Sequence, residues 1–523
     1  MRNKSYPYNN VYELKSFKEL VCRSAEKYAD DVAFWYRKKN DSVKIDFKTV
    51  KSDVEALGTY LVSNGYKGGT HIALLGENSY MWVVAYLAVV CSGNIIVPLD
   101  KESSKDDIGK FLKMSDTDII IHSDLYSEEA GFDGITSLNM DNFDQYIEEG
   151  RILIENGDSS FSDYEPDTSQ TRAIVFTSGT TSEPKGVMLT ERNIVSDIIV
   201  SLRNLRVPKG TIGLLPFYHT FGFMACVLCQ MHIGSPVFLT GSLKRVLDDI
   251  KYCKPRHIAV VPMLLITMYN RVWETAKSGG KDKLLKVLIK ISNALLKIGI
   301  DLRRKLFKTV IDAFGGELEM LITGGSGIDE KYIKGFRDFG INVINGYGIT
   351  ECSPIVATMR NKHFAPASVG SVQPGLDARI VNGEVQIKGP TVFSGYYKNE
   401  AATAEAFDDG WFKTGDLGYL DDDGLLYITG RIKNLIILSN GKNVSPEELE
   451  SILADKIANI TEVVVYAEND LITAEIYAED TNGIKDGIDE INKTLPAFKQ
   501  IQKVVFRDTE FEKTTTKKIK RGK

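Results

Sequence analysis

The residues from Thr177 to Gly186, Thr-Ser-Gly-Thr-Thr-Ser-Glu-Pro-Lys-Gly, carry the densest chemistry in the chain. Five of the first six bear a hydroxyl, and Lys185 follows closely. Gly179 lets the backbone approach a ligand, and amide N–H groups with hydroxyls can then wrap a phosphate chain. Lys185 supplies a countercharge. Pro184 stands where the P-loop of ATPases needs its second glycine, so the loop is of another kind. A second cluster runs Asn345-Gly346-Tyr347-Gly348-Ile349-Thr350-Glu351. It offers an aromatic face for a purine, a hydroxyl for a phosphate oxygen and a carboxylate for Mg²⁺, a cation that takes oxygen ligands. Asp416 can accept hydrogen bonds from ribose hydroxyls, and Arg431 can donate a fork of them to the sugar or to phosphate. Gly324-Gly325-Ser326-Gly327 is a glycine turn after an apolar run, where α/β sheets bind ligands. His219, in Leu215-Pro216-Phe217-Tyr218-His219, and the lysines near the end of the chain complete the candidates.

The loop resembles the phosphate-binding signature of the AMP-forming acyl-adenylating enzymes, which include acyl-CoA synthetases, peptide-synthetase adenylation domains and luciferases. Ser182 departs from that family's usual glycine. Six motifs follow the family's order from about Val11 to Arg521, and Tyr347-Gly348-Ile349-Thr350-Glu351 matches its Tyr-Gly-x-Thr-Glu without departure. The resemblance implies phosphate contacts from Thr177, Ser178, Gly179, Thr180, Thr181 and Lys185. It implies that Gly324, Gly325 and Ser326 lie between adenine and acyl chain, and that Asn345, Gly346, Tyr347, Gly348 and Thr350 surround the nucleotide. Glu351 is the implied magnesium ligand, and Asp416 and Arg431 the implied ribose partners. His219 is placed near the reacting carbonyl, Lys433 at a hinge, and Gly441 beside the pantetheine arm of the thiol. Lys518 becomes the catalytic lysine; Glu512 and Lys517 replace the family's Pro and Gly, so that assignment rests on Ile519-x-Arg521. The implied reaction consumes ATP with Mg²⁺, makes acyl-AMP and pyrophosphate, and passes the acyl group to coenzyme A. The long-chain and medium-chain fatty acid–CoA ligases resemble this chain most.

Elements must hold these residues in place. Ala173 to Phe176 and Val187 to Leu189 read as buried strands on either side of the phosphate loop, with Thr190 as N-cap of a helix beginning near Glu191. Between Val11 and Ser123, helices over 17–28 and 50–64 alternate with strands at 71–75, 95–99 and 118–122. Met81 to Cys91 reads as a buried helix, because it is too short to cross a bilayer. This alternation predicts an open, largely parallel sheet. His71 and His122 fall in strands, as structural residues. Residues 124–169 are expected to be acidic, irregular surface. The stretch from Val369 to Tyr396 reads as β-rich. The fold class expected is α/β: a large N-terminal domain of layered sheets with helices and a β-rich subdomain, then a small mobile α+β domain. The boundary is placed between 1–432 and 433–523. Ser445 is expected to cap a helix that has Pro446 at its first position.

Composition sets further limits. A chain of 523 residues exceeds one ordinary core. Net charge is -6, which argues against general nucleic-acid binding. The six cysteines are scattered, as free thiols of a cytoplasmic protein would be. Cys226 and Cys229 have metal spacing without a second pair, which favours a packed helix over zinc. The segment 271–308 carries eleven cations against three anions, for a net +8. Leu284, Leu288, Ile291, Leu295 and Ile298 fit one helical face there. Either a solvated helix packs on the domain, or the segment makes weak peripheral contact with anionic membrane. Three rival functions stay open: a ligase loading an acyl carrier protein, an amino-acid adenylation domain and a non-catalytic nucleotide-binding module. The amino-acid rival is disfavoured by the lack of any Asp between Phe217 and Leu239.

Overall fold

Helices form where apolar spacing and a cap coincide. In a computed structural model that describes residues 6–38, 41–177, 183–241, 245–438, 442–457, 459–468, 471–513, 519 and 521, Phe17–Tyr28 begins at Ser16, whose hydroxyl accepts the Glu19 N–H. Phe47–Ser63 begins at Asp46 in the same way. Tyr80–Cys91 is apolar on all sides, and all but Met81 of its residues are buried. Glu191–Asn204 carries the expected Thr190 cap, made reciprocal by the Asn193 side chain.

Among the described residues, the first large sheet runs Gly395–Tyr396, Lys185–Thr190, Thr171–Thr177, Ile95–Pro98, His71–Leu75, Ile119–His122 and Thr136–Asn139. Its five strands from Thr171–Thr177 onward are mutually parallel, and the first two are antiparallel additions. The expected parallel sheet is therefore present, with the phosphate loop joining two antiparallel strands at one end. A second sheet starts with the parallel strands His257–Val260, Met320–Thr323 and Asn342–Gly348. It continues antiparallel through Ile355–Thr358, Gly370–Val372, Leu425–Arg431, Trp411–Leu420, Glu384–Lys388 and Asp377–Val381. This is the β-rich part. Val32–Lys38, Asp41–Asp46, Val237–Leu239 and Thr211–Gly213 make a smaller third sheet.

The expectation of irregular surface over 124–169 fails. Besides the edge strand Thr136–Asn139, a helix spans Phe143–Glu155 and buries Phe143, Ile147 and Gly150. A Cβ at Gly150 would lie 1.9 Å from the Ala56 carbonyl oxygen, so glycine is what lets this helix lie against Phe47–Ser63. The outer side of the helix bears Ile152 and Ile154, both exposed, and this apolar outer side blurs the helical pattern in sequence.

The basic segment forms two long helices, Pro262–Ser278 and Asp282–Lys297. The side of the second that packs is Leu285, Leu288, Ile289 and Ser292, whereas Leu284, Ile291 and Ile298 are exposed. The expected packed face is thus rotated from the observed one. From Ile436 onward a separate core gathers Val444, Leu449, Leu453, Val465, Ile476, Ile484 and Ile488. It lies around Pro446–Lys456 and the three-stranded sheet of Glu462–Glu468, Leu471–Tyr477 and Lys503–Arg507. Ser445 caps the helix as expected, accepting the Glu448 N–H.

Candidate nucleotide site

The site gathers where the two large sheets meet. Thr177 pairs with Lys185 across the antiparallel strands, and the Thr177 hydroxyl donates to the Lys185 carbonyl at 3.5 Å. Ser178, Gly179, Thr180 and Thr181 lie outside the described residues, as do Gly441 and Lys518. The Lys185 ammonium sits 4.9 Å from the centre of the Tyr396 ring. Tyr396 belongs to the short strand that pairs beside Lys185–Thr190. Its hydroxyl donates to Glu351 Oε1 at 3.0 Å. One side chain thereby joins the phosphate-loop lysine to the candidate metal carboxylate. Sequence reasoning missed Tyr396, because its partner is 45 residues away.

Glu351 lies on the single turn Thr350–Cys352, directly after the strand Asn342–Gly348. Its backbone carbonyl accepts the Phe393 N–H, which holds the turn from the opposite side. Burial pushes the Glu351 carboxyl above the ordinary glutamate value; the Tyr396 hydroxyl and the Arg431 charge work against that and favour the anion. A Cβ at Gly348 would fall 2.3 Å from the Pro354 carbonyl oxygen, so only glycine lets the chain double back there.

The sugar-binding candidates are joined to Tyr347, the candidate purine face. Tyr347 donates its hydroxyl to Asp416 Oδ2 at 2.6 Å, and Arg431 Nε donates to Asp416 Oδ1 at 2.7 Å. Asp416 and Arg431 are direct cross-strand partners. Asp416 is buried, while Arg431 remains partly exposed. Each carboxylate oxygen has a second lone pair, so Asp416 can take two further donors. Burial and the neighbouring Asp416 charge hold the Tyr347 hydroxyl well above its usual range, which keeps it a neutral donor. Gly346 pairs opposite Thr358, and Asn345 donates to the Ser368 carbonyl. Gly324, Gly325 and Ser326 follow the strand Met320–Thr323, which is parallel to Asn342–Gly348, and Gly325 and Ser326 are exposed at its carboxyl end. Lys433 follows two residues after Arg431, on the turn Ile432–Asn434.

His219 stands at the start of the short helix Thr220–Phe223. The preceding turn is pinned by Asn78, which accepts the Phe217 N–H and donates to the Leu215 carbonyl. Phe217, Tyr218, Thr220 and Phe223 line a cavity of about 20 Å³ together with Ser353, two residues after Glu351. That volume holds about one water. The His219 turn is thus adjacent to the Glu351 turn. A groove of about 1070 Å³ lies elsewhere, beside the Phe17–Tyr28 helix, and contains none of the candidates. Cys226 and Cys229 are both buried in continuous helix, and no group of three metal-ligating side chains occurs among the described residues.

The chain that carries these candidates matches a known family. The model of the AMP-binding enzyme family matches residues 21–397. The chain belongs to the AMP-binding enzyme family. It is similar to the long-chain-fatty-acid–CoA ligase FadD15 of Mycobacterium bovis, 28% identical over 450 residues that cover 79% of this chain and 74% of the other. It is also similar to the long-chain-fatty-acid–[acyl-carrier-protein] ligase AEE15 of Arabidopsis thaliana, 26% identical and covering 87% and 75%. The fold matches the o-succinylbenzoate coenzyme A synthetase of Bacillus subtilis, solved in complex with its acyl-adenylate intermediate. The TM-score is 0.76 and identity is 21%, with 96% of each chain covered. Within this AMP-binding enzyme, among the described residues, no helix is long and apolar enough to cross a membrane.

Proposed function

We propose that this AMP-binding enzyme is an AMP-forming acid–thiol ligase that activates a medium- to long-chain fatty acid and transfers it to coenzyme A. The observation that carries the reading is the linked pair of contacts on Asp416 and Glu351, which fits ribose at one end and phosphate-bound metal at the other. In the first half-reaction a substrate carboxylate oxygen attacks the α-phosphorus of ATP, and pyrophosphate leaves. In the second, the thiol of coenzyme A attacks the acyl carbonyl of acyl-AMP, and AMP leaves. A free carboxylate is a poor electrophile, and adenylation gives it a good leaving group. The relatives named as fatty acid–CoA ligases support the substrate class. The relative that acts on an acyl carrier protein supports the alternative acceptor, which has the same first half-reaction.

Tyr347 presents its ring to the purine, while Asp416 and Arg431 hold the ribose. Thr177, Ser178, Gly179, Thr180, Thr181, Lys185 and Thr350 donate to the phosphates, Gly324, Gly325 and Ser326 lie between adenine and acyl chain, and Asn345, Gly346 and Gly348 surround the nucleotide. Glu351 would hold Mg²⁺, and a single carboxylate suffices because substrate phosphates and water complete an octahedral shell. The ion supplies charge neutralisation at those phosphates. Lys518 donates at the bridging oxygen during the first half-reaction and must leave for the thiol to enter, with His219 beside the carbonyl and Gly441 along the pantetheine path. A hinge at Lys433 between units 1–432 and 433–523 gives both states. The separate core beyond Ile436 supports that division. A cytoplasmic location, with peripheral contact to anionic membrane through 271–308, completes the reading.

The test is pyrophosphate release over carboxylic acids of graded length, each with coenzyme A, with an acyl carrier protein, or with neither. Release that depends on acid and rises with chain length supports the reading. Release that ignores the acid, or nucleotide binding without turnover, refutes it in favour of a binding module.

A further inference from the structure

The helix Asp282–Lys297 shows three distinct faces. Residues advance about 100° each around an α-helix. On that wheel Leu285, Leu288, Ile289 and Ser292 form the inward face, packed on the core that contains Phe307, Phe336 and Phe339. Asn293 pins this attachment by donating to Asp338 Oδ1 at 2.9 Å. Lys283, Lys286, Lys290 and Lys297 occupy a second face, all exposed. Leu284, Val287, Ile291 and Ile298 occupy the third. Their exposures are 56%, 51%, 48% and 72%, and Ile300 just beyond is 45% exposed.

An apolar stripe of this length does not arise from an ordinary solvated helix, which would place polar residues there. The charges beside it are unbalanced. Of the nearby acids, Glu274 is paired with Arg271 and Asp301 with Arg303, while Lys283, Lys290 and Lys297 have no carboxylate partner among the described residues. A second copy docked face to face would set these lysines against one another. A surface that is both apolar in depth and anionic at its edge matches the pattern, and an anionic phospholipid bilayer has that layering.

We propose that the face formed by Leu284, Val287, Ile291 and Ile298 enters the headgroup boundary of an anionic membrane, with Lys283, Lys286, Lys290 and Lys297 on lipid phosphates. The proposal deepens the peripheral contact through 271–308 and rests on that part of the fatty-acid reading, since long-chain acids partition into bilayers. The binding itself needs no ATP, acid or thiol, so the two can fail separately. The experiment is flotation of the intact protein with vesicles of phosphatidylcholine, with and without phosphatidylserine, over a salt series. Expected is flotation with the anionic vesicles that falls as salt rises. Lys283→Gln, Lys286→Gln and Lys290→Gln together should weaken partitioning by about fivefold per lysine. Leu284→Ser with Ile291→Ser should abolish flotation at all salt concentrations. Both variants change exposed side chains, so thermal unfolding and pyrophosphate release with a water-soluble acid should match the wild type. No flotation of the wild type, equal flotation of the variants, or a wild-type dimer that the Leu284/Ile291 variant dissociates would each overturn the proposal. Flotation without any acid-dependent pyrophosphate release would uphold this surface and refute the ligase reading.

Discussion

At the scale of residues, the site depends on carboxylates whose partners come from distant strands. Tyr396 gives Glu351 its hydroxyl and Lys185 its ring, so Tyr396→Phe removes the donor that favours the Glu351 anion. The sign follows directly. Burial already raises the Glu351 carboxyl above the ordinary value, and losing the hydroxyl raises it further. The Glu351 anion is present above that value and lost as pH falls through it. The acid limb of the pH–rate profile for pyrophosphate release should therefore move to higher pH in Tyr396→Phe, with the plateau rate changed less than the limb; an unmoved limb would separate Tyr396 from Glu351. Asp416 is buried beneath two donors, and Asp416→Ala leaves Tyr347 and Arg431 without their acceptor. Such a loss costs about 2 kcal/mol, or roughly thirtyfold in apparent ATP affinity, measurable as KM for ATP. Most of these residues were legible in sequence because Gly346 to Glu351 and Asp416 are contiguous motifs whose residue types state their chemistry. Tyr396 and Asn78 were not, because a tyrosine in a strand and an asparagine in a turn announce nothing until the chain brings Glu351 and Phe217 to them.

At the scale of elements, capped helices and buried strands were readable and glycine-mediated packing was not. Thr190 and Ser445 each cap the helix expected of them, and Ser16 caps the expected helix Phe17–Tyr28, a cap that sequence reasoning missed. Phe143–Glu155 escaped notice, because Gly150 contributes no apolar signal to the face it packs with. Gly150→Val would drive a side chain into the Ala56 carbonyl, from an ideal Cβ distance of 1.9 Å. Overpacking of this kind costs about 1–3 kcal/mol. The expected outcome is a thermal midpoint lowered by several degrees with ATP KM unchanged at low temperature; an unchanged midpoint would show that the two helices move apart freely. The face of Asp282–Lys297 was misjudged for a related reason. Apolar residues at 284, 288, 291, 295 and 298 satisfy one helical stripe, yet Leu285 and Ile289 make the tertiary contact while Leu284 and Ile291 are left outside. Periodicity alone cannot tell an inward stripe from an outward one when a helix carries both.

At the scale of the whole molecule, two sheets supply the residues of the candidate nucleotide site, and a separate core gathers the residues from Ile436 onward. Arg521 pairs with Glu450 at 2.5 Å, Ile519 bridges to Lys513, and Lys513 pairs with Glu462, so the described residues on both sides of 514–518 are tied to the smaller core. Order along the chain and the two kinds of sheet were legible from alternating patterns, whereas the distribution of the site over both sheets was not, since strand pairing is non-local. If the smaller unit carries Lys518 toward and away from the phosphates, Lys518→Ala should reduce acyl-AMP formation by about two to three orders of magnitude, the scale of one lost electrostatic contact to a transition state. Thioester formation from supplied acyl-AMP should remain near the wild-type rate; equal loss of both would count against alternation. The most direct check of the central claim is a quenched single turnover of enzyme with ATP, Mg²⁺ and a long-chain acid, without any thiol. The expected products are acyl-AMP and pyrophosphate in equal amounts, up to one per enzyme molecule. ADP and inorganic phosphate, or AMP formed with no acyl adduct, would contradict it.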